Sequence, residues 1–272
     1  MGRTLPQGFV VDAAWLQANG YSSSLRSQYV SAGWLEQPAR RVYRRPSPAP
    51  LTWQHVVASL QSYLNFDLVV GGRTALELQG FAHYLPQIQT EVHLYGPKPP
   101  PTWLSDLRLD VRFRYHNGAR LFPKTASPDG LTSLLWNFRT RTGEGADAPP
   151  DVTVIDLGGP DAWPLAVSPP ERAILELLDE LPDHESFHQA DMLMEGLTNL
   201  RPARLQTLLA QCRSVKVKRL FFFFADRHRH AWLTRLDKSK LDLGEGKRLL
   251  ARGGKLDRAY QITVPEDLHG LP

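Results

Sequence analysis

Residues 9–46, FVVDAAWLQANGYSSSLRSQYVSAGWLEQPARRVYRRP, constrain the fold more than any other stretch of this chain. Two segments with helical periodicity are separated by the pair Asn19-Gly20, whose residues tolerate the left-handed backbone that ends a helix. One of the serines at 22–24 can cap the second helix, and Gly33 ends it. The first helix is predicted to carry Val11, Ala14, Trp15 and Ala18.

A basic ribbon is predicted after the second helix. Trp34-Leu35 and Val42-Tyr43 are expected to form two short strands, joined through residues 36–41. Two helices, a tight turn and a ribbon follow the order of a winged helix-turn-helix, whose second helix enters the major groove of DNA. The alternative is an ordinary helical hairpin with a solvated basic loop. Four arginines lie on or beside the ribbon, where they can neutralise phosphates: Arg40, Arg41, Arg44 and Arg45.

The second helix has two faces of different character. Leu25, Tyr29 and Val30 share one face, which is expected to pack inward. Arg26 and Gln28 have the side chains best suited to reading base edges. The residues off the apolar face are predicted to contact DNA: Ser23, Ser24, Arg26, Ser27 and Gln28.

The net charge of +4 conceals a segregation of charge along the chain. Residues 1–50 hold six Lys or Arg and two Asp or Glu, residues 51–200 hold ten against nineteen, and residues 201–260 hold sixteen against five. Two basic ends suit a protein that touches a polyanion at two places, although solvated helix faces would give the same composition. A second basic patch, for DNA or for a protein partner, is predicted at Lys216, Lys218, Arg219, Arg227 and Arg229.

The proline-rich run PSPAP at residues 46–50 favours a semi-rigid spacer and is predicted to be a domain boundary. Residues 1–50 would form the winged helix-turn-helix, extending to about residue 95 if the next helix packs on it. Residues 51–272 would form a larger domain, first mixed α/β and then helical from Pro169 onward, so that the fold class is α+β. Within it, residues 133–138 are predicted as strand or helix, 142–150 as a loop, and 215–225 as a helix around buried phenylalanines.

Catalytic motifs are weak in this sequence. The turn at Gly71-Gly72, between an apolar strand and a helix, is similar to the phosphate-binding opening of nucleotidyltransferases. That chemistry needs paired carboxylates shortly downstream to hold magnesium, and none has the required spacing, so a structural turn is favoured. His228 and His230 lack further zinc ligands nearby, and residues 184–191 lack the spacing of a zinc helix. We expect no enzyme activity, no metal and no cofactor.

Compartment signals point to the cytoplasm. Cys212 is the single cysteine, so no internal disulfide can form. No run of 18 apolar residues predicts a transmembrane helix, and the N-terminus lacks the features of a signal peptide. A cytoplasmic protein without a membrane partner is therefore expected.

Several segments together carry a family resemblance. They are Val10-Val11, Trp15-Leu16, Gly20, Leu25, Tyr29-Val30, Gly33-Trp34-Leu35, residues 42–45, residues 68–76, residues 92–95 and, less sharply, residues 168–175. In this pattern the chain resembles the AbiEi-type antitoxins, which are bacterial type IV toxin–antitoxin regulators. It departs from the family at the N-terminus. The family usually has a helix before the VVDAAWL-like segment, and here only residues 1–8 precede it, so a trimmed N-terminal domain is expected.

The resemblance implies a sequence-specific DNA-binding repressor that autoregulates its operon and neutralises a nucleotidyltransferase-like toxin encoded beside it. It also implies double-stranded operator DNA with inverted repeats, and a monomer or weak dimer that pairs on DNA. The second basic patch would then grip either DNA or the toxin. Two alternatives stay open: a protein-binding antitoxin that does not read DNA, and a degenerate nucleotidyltransferase-like enzyme.

Overall fold

The computed structural model describes Leu5 and residues 7–81, 89–122, 152–156 and 164–269. These residues divide into two units. The first contains the described residues up to Val70, together with 89–117, 152–156 and 164–167; the second contains 71–81, 118–122 and 168–269. The predicted strand or helix at 133–138 and the predicted loop at 142–150 lie outside the described residues.

The N-terminal part of the first unit is a short strand, two helices and a hairpin. The strands are β1 (Val10–Asp12), β2 (Glu36–Ala39) and β3 (Val42–Arg44), and the helices are α1 (Ala13–Ala18) and α2 (Ser23–Ser31). The strands form an antiparallel sheet in the order β1-β3-β2. Because a first strand paired with the hairpin and a helix-turn-helix between them define a winged helix-turn-helix, this prediction is confirmed in its topology.

Two details of the prediction for this region are wrong. Val11 lies in β1, paired with Tyr43, and not in the first helix. The hairpin's first strand begins at Glu36, two residues after the predicted start at Trp34. Helix α1 begins only after Asp12, whose carboxylate accepts a hydrogen bond of 2.7 Å from the Trp15 N–H. Of residues 1–8, on which the expectation of a trimmed N-terminus rests, the structure describes Leu5, Gln7 and Gly8.

A mixed five-stranded sheet completes the first unit, in the order β6-β5-β4-β8-β7. Helix α3 (Trp53–Ser62) packs against both β1 and β8. Its buried Ser59 accepts a hydrogen bond of 2.9 Å from the Val10 N–H, and its buried Gln61 exchanges two with the backbone of Ala166. The domain boundary predicted at residues 46–50 therefore falls inside this unit. The strands are β4 (Val69–Val70), β5 (Glu91–Gly96), β6 (Arg112–Asn117), β7 (Thr153–Asp156) and β8 (Pro164–Val167).

The second unit is mainly helical. Its helices are α4 (Gly72–Leu78), α5 (Pro170–Asp179), α6 (Phe187–Gly196), α7 (Pro202–Gln211) and α8 (Val215–His228). Helix α5 lies at the centre and contacts each of the other four. The helix predicted around Phe221–Phe224 is confirmed, and all four rings are buried. The prediction that the chain stays helical to its end is wrong, because β9 (Lys255–Asp257) and β10 (Ile262–Val264) form an antiparallel hairpin.

Candidate nucleic-acid interface

Helix α2 presents an exposed face of small polar side chains. Its N-cap is Ser22, whose hydroxyl accepts a hydrogen bond from the Leu25 N–H. Leu25, Tyr29 and Val30 are half-buried, as expected for the inward face. Short uncharged side chains let a helix approach base edges closely, and Gln28 adds an amide that can pair with adenine. The exposed residues are Ser23, Ser24, Ser27, Gln28 and Ser31.

Arg26 differs from the other predicted DNA-contacting residues, because its guanidinium folds back onto the helix-turn-helix. Nη1 donates hydrogen bonds to the carbonyl oxygen of Tyr21 at 2.6 Å and to the side chain of Gln17 at 3.1 Å. Its Nε is buried and has no hydrogen-bond partner among the described residues. This arrangement holds the turn between α1 and α2 and directs the arginine away from solvent.

Trp34 is an exposed aromatic residue that lies outside the strand predicted for it. It follows the end of α2, where Gly33 adopts a positive φ of +72°, and 64% of its surface is exposed. Its ring lies 5.2 Å from that of Tyr29. Gly33 could have identified Trp34 as a residue of the turn that ends α2, because glycine readily adopts the left-handed backbone found at helix ends.

The wing divides the four predicted arginines into two pairs. Arg40 and Arg41 form the turn between β2 and β3, and both side chains are exposed. Arg41 has a φ of +64°, and its carbonyl oxygen accepts a hydrogen bond of 2.9 Å from the Ala13 N–H at the start of α1. The wing turn is therefore fixed to the helix-turn-helix while its two cations face solvent.

Arg44 and Arg45 are engaged inside the protein. Arg44 donates a hydrogen bond of 2.6 Å to the carboxylate of Glu36 on the neighbouring strand, and only 13% of its side chain is exposed. Arg45 donates to the carbonyl oxygen of Leu5 at 3.3 Å. These contacts stabilise the sheet, and they leave Arg40 and Arg41 as the wing's solvent-facing arginines.

A cavity of about 600 Å³ adjoins the wing turn. Arg40 and Arg41 line it together with two acidic residues, Asp12 and Asp106. Trp103, from the 3-10 helix Thr102–Asp106, contributes another wall. The two carboxylates reduce the positive potential on this side of the wing.

The predicted second basic patch is not one surface. Lys216 donates to the carbonyl oxygens of Asp179 and Leu181 at 2.5 and 2.9 Å, where it covers the end of α5. Lys218 and Arg219 are buried, and Arg219 donates to backbone carbonyl oxygens. Of the five predicted residues, only Arg229 is exposed.

Arg227 is held by helix α6. Its Nε donates to the Asp191 carboxylate at 3.1 Å, and His228 donates to the same oxygen at 2.9 Å. Burial raises the pKa of Asp191, but these two hydrogen bonds outweigh burial and hold the pKa below its usual range. The pair therefore joins α8 to α6 and is not available as a DNA-binding cation.

Further exposed cations of the second unit lie outside the predicted patch. Four of them occupy the segment that leads into the β9–β10 hairpin and the turn of that hairpin. The sequence signal was present in the basic composition of residues 201–260, but composition does not distinguish buried from exposed arginines. These residues are Lys247, Arg248, Arg252 and Arg258.

The glycine turn similar to that of nucleotidyltransferases is occupied by a carboxylate of the chain itself. The Gly72 N–H, at the start of α4, donates 3.0 Å to the buried side chain of Glu176. Arg172 and Ser168 donate to the other oxygen of this carboxylate at 2.7 and 3.1 Å. A phosphate at this amide would have to displace a fully paired buried anion, which supports a structural role for the turn.

Neither a cluster of metal-ligating side chains nor a helix able to span a membrane is found among the described residues. Those residues contain no cluster of three or more His, Cys, Asp or Glu side chains that could hold a metal ion. His230, one of the histidines considered as a zinc ligand, instead pairs with the carbonyl oxygen of Met194 at 2.9 Å. None of the helices described is long and apolar enough to span a membrane.

Comparison with known proteins identifies the family. Residues 1–87 match the model of the transcriptional regulator AbiEi antitoxin N-terminal domain. Residues 159–265 match the model described as transcriptional regulator, AbiEi antitoxin, type IV toxin–antitoxin system. Because the two models together cover most of the chain, it belongs to the AbiEi family of antitoxin transcriptional regulators, as its sequence resemblance implied.

One solved structure supports the fold assignment. The crystal structure of the RV2827C protein from Mycobacterium tuberculosis is similar with a TM-score of 0.56, over 93% of this chain and 85% of that one. The sequence identity is 17%, so the similarity concerns the fold. A search of curated protein sequences found no match.

Proposed function

We propose that this AbiEi-family regulator is a sequence-specific repressor that binds the operator of its own operon. The observation that carries the proposal is the exposed, uncharged face of α2 within a winged helix-turn-helix. In this proposal α2 enters the major groove, where Gln28 and the serines contact base edges. Arg40 and Arg41 bind phosphates at the wing. In this proposal Arg26 stabilises the position of α2 through its hydrogen bonds to Tyr21 and Gln17, and it contacts no base.

The proposed DNA target is double-stranded and contains inverted repeats. A monomer or weak dimer would place one α2 in each half-site, so that two copies pair on the operator. Such a repressor works in the cytoplasm, where the DNA is. The exposed cations of the second unit, Arg229 among them, are available for a second contact with DNA or for a toxin.

A mobility-shift titration on the chain's own upstream sequence tests the DNA-binding proposal. We expect a shifted complex that survives an excess of random-sequence competitor, because base contacts typically favour the specific site by several kcal/mol. A scrambled upstream sequence of equal length and composition serves as the control. Equal affinity for both sequences would contradict specific reading and would favour the protein-binding alternative.

The proposed antitoxin role is neutralisation of a nucleotidyltransferase-like toxin encoded beside this gene. Membership of the antitoxin family supports it. Growth rescue on co-expression with the neighbouring gene tests it separately from DNA binding, with an α2 variant that no longer binds DNA as the matched control. Rescue by that variant would assign neutralisation to a function other than repression.

We further propose that the chain is not an enzyme. The pairing of the Gly72 N–H with the buried Glu176 supports this proposal, because the amide that a nucleotide phosphate would need is already bonded. A nucleotide-transfer assay with labelled nucleoside triphosphates and magnesium or manganese is the test. Transfer of label by the full-length chain would favour the degenerate-enzyme alternative.

A further inference from the structure

A cavity of about 920 Å³ lies in the second unit, between the end of α8 and the β9–β10 hairpin. Its volume lies in the range of small-molecule sites. The apolar lining consists of Phe223, Leu256, Ala259 and the ring of Tyr260. The polar lining consists of Asp226, Arg227, Arg229, Lys255, Asp257, Arg258 and His269.

Three charged residues and one histidine of this cavity are paired with other groups of the protein. Arg227 pairs with Asp191, and Lys255 pairs with Glu266 at 2.5 Å. Asp226 accepts hydrogen bonds from Lys238 at 3.0 and 3.1 Å and from the Tyr260 hydroxyl. His269 is bonded through Nε2 to the carbonyl oxygen of Leu256 at 3.2 Å. These groups form the walls of the cavity.

Among the described residues, two arginines that line the cavity are not paired with another side chain in this way. Arg229 ends α8 with a φ of +49°, and Arg258 lies in the turn between β9 and β10; both are exposed. Within the described part of the chain, neither guanidinium forms a hydrogen bond or an ion pair. A guanidinium presents paired N–H donors that match phosphate oxygens, and two of them lining one cavity favour a phosphorylated ligand.

Asp257 supplies the complementary acceptor. Its carboxylate lines the same cavity and accepts a hydrogen bond of 2.7 Å from the Tyr260 N–H, which leaves its second oxygen available. Carboxylates in nucleotide sites accept hydrogen bonds from ribose hydroxyls. A phosphate-binding pair of arginines, a hydroxyl acceptor and an apolar lining are the three parts of a nucleotide site.

We propose that this cavity binds a nucleotide, whose phosphate contacts Arg229 and Arg258, whose ribose hydroxyl donates to Asp257, and whose base lies against the apolar lining. The site belongs to the second unit, whereas the proposed DNA-reading residues belong to the first, and the inference does not depend on the proposed operator binding. It gives the regulator a small-molecule ligand in addition to DNA.

Calorimetric titration of the full-length chain with AMP, GMP, CMP and UMP at low ionic strength tests the proposal. At least one should bind with a Kd below about 1 mM. The matching nucleoside and inorganic phosphate should each bind at least about tenfold more weakly, because each lacks one half of the contacts. Arg229→Gln and Arg258→Gln should each weaken binding by about tenfold, and Asp257→Asn should weaken it for ribonucleotides more than for 2′,3′-dideoxynucleotides.

Arg252→Gln is the matched control, because Arg252 is an exposed arginine of the same unit that does not line the cavity. Its nucleotide affinity should stay within about twofold of the parent chain. The proposal is overturned if no monophosphate binds at several millimolar, or if inorganic phosphate binds as tightly as the nucleotides. It is also overturned if the arginine variants match the control, or if they lose affinity for DNA while the parent chain binds no nucleotide.

Discussion

Arg26 and Tyr21 are joined by a hydrogen bond of 2.6 Å, from the arginine Nη1 to the tyrosine carbonyl oxygen. The bond connects the first half of α2 to the turn that precedes it. The same nitrogen also reaches Gln17 on α1, so that one side chain contacts the first helix, the turn and the second helix. In the proposed interface, the relative angle of these helices would determine how α2 enters the major groove, and we therefore propose Arg26 as a positioning residue.

Replacement of Arg26 by alanine should therefore lower stability and DNA affinity together. We expect a loss of about 1–3 kcal/mol in the free energy of unfolding, because charged hydrogen bonds to a carbonyl and an amide are removed. Affinity should fall for operator and random DNA alike. Denaturant titration and mobility shifts are the measurements. A loss confined to the operator, with unchanged stability, would instead make Arg26 a base-reading residue.

Gln28 should behave in the opposite way. Its side chain is exposed on α2, so Gln28→Ala should leave stability almost unchanged and weaken operator binding by about 1–3 kcal/mol. Random-sequence DNA should be bound as before. Gln211→Ala, an exposed glutamine at the end of α7, is the matched control. Equal losses on both kinds of DNA would limit Gln28 to the phosphate backbone.

Variants of the wing arginines should distinguish residues that bind DNA phosphates from residues that stabilise the fold. The double variant Arg40→Gln, Arg41→Gln should weaken binding to all sequences and reduce the salt-dependence slope by about 0.9 for each phosphate that the wing no longer neutralises. Arg44→Gln should lower the melting temperature, because it removes a largely buried partner of Glu36. Titrations across salt concentrations and thermal melts measure the two effects. An unchanged slope in the double variant would remove the wing from the interface.

Local sequence signals predicted the parts of this fold whose stabilising contacts lie close in sequence. The serines before α2, the glycine after it and the apolar spacing of α5 and α8 all correspond to observed helices. Val11 was misassigned because its strand pairs with Tyr43, and that partner cannot be inferred from helical periodicity alone. The β9–β10 hairpin was missed for a different reason, since its short strands lie in a segment dominated by charge and glycine.

The basic composition of the second unit did not predict which of its Lys and Arg side chains are exposed. Sixteen Lys and Arg in residues 201–260 indicated a binding surface. Arg227 donates a hydrogen bond to the carboxylate of Asp191, which is 36 residues away in the sequence. Arg219 donates to the carbonyl oxygen of Leu243, which is 24 residues away. Such distant partners determine which arginines turn inward, and they depend on tertiary packing. The exposed cations could be identified only once those contacts were known.

Arg219 should contribute to the stability of the fold and not to a binding surface. Its guanidinium donates to the carbonyl oxygens of Leu243 and Gly246, each at 2.6 Å, and so holds the segment before the β9–β10 hairpin. Arg219→Met should lower the free energy of unfolding by about 2–3 kcal/mol, because it leaves these carbonyls without a charged donor. Arg229→Met, at an exposed position that follows the C-terminal end of the same helix, should change stability by less than about 0.5 kcal/mol. Chemical denaturation of both variants decides between a structural and a surface role.

Asp191 should contribute to stability in a pH-dependent way. Its carboxylate accepts hydrogen bonds from Arg227 and His228, and its pKa in the folded chain is lowered from the ordinary value of 3.8. A group whose pKa is lower in the folded than in the unfolded state stabilises the fold above the unfolded pKa. That contribution is lost as the pH falls through the folded pKa, because the carboxylate then becomes protonated.

The variant Asp191→Asn should therefore be less stable than the parent chain at neutral pH, and the difference should shrink as the pH falls from about 7 to about 3. Denaturant titrations at several pH values measure it. Asp183→Asn replaces an exposed aspartate of the same unit and is the control; its stability should follow that of the parent chain throughout. A difference between Asp191→Asn and the parent that stays constant down to about pH 3 would show that packing, and not ionisation, explains the effect.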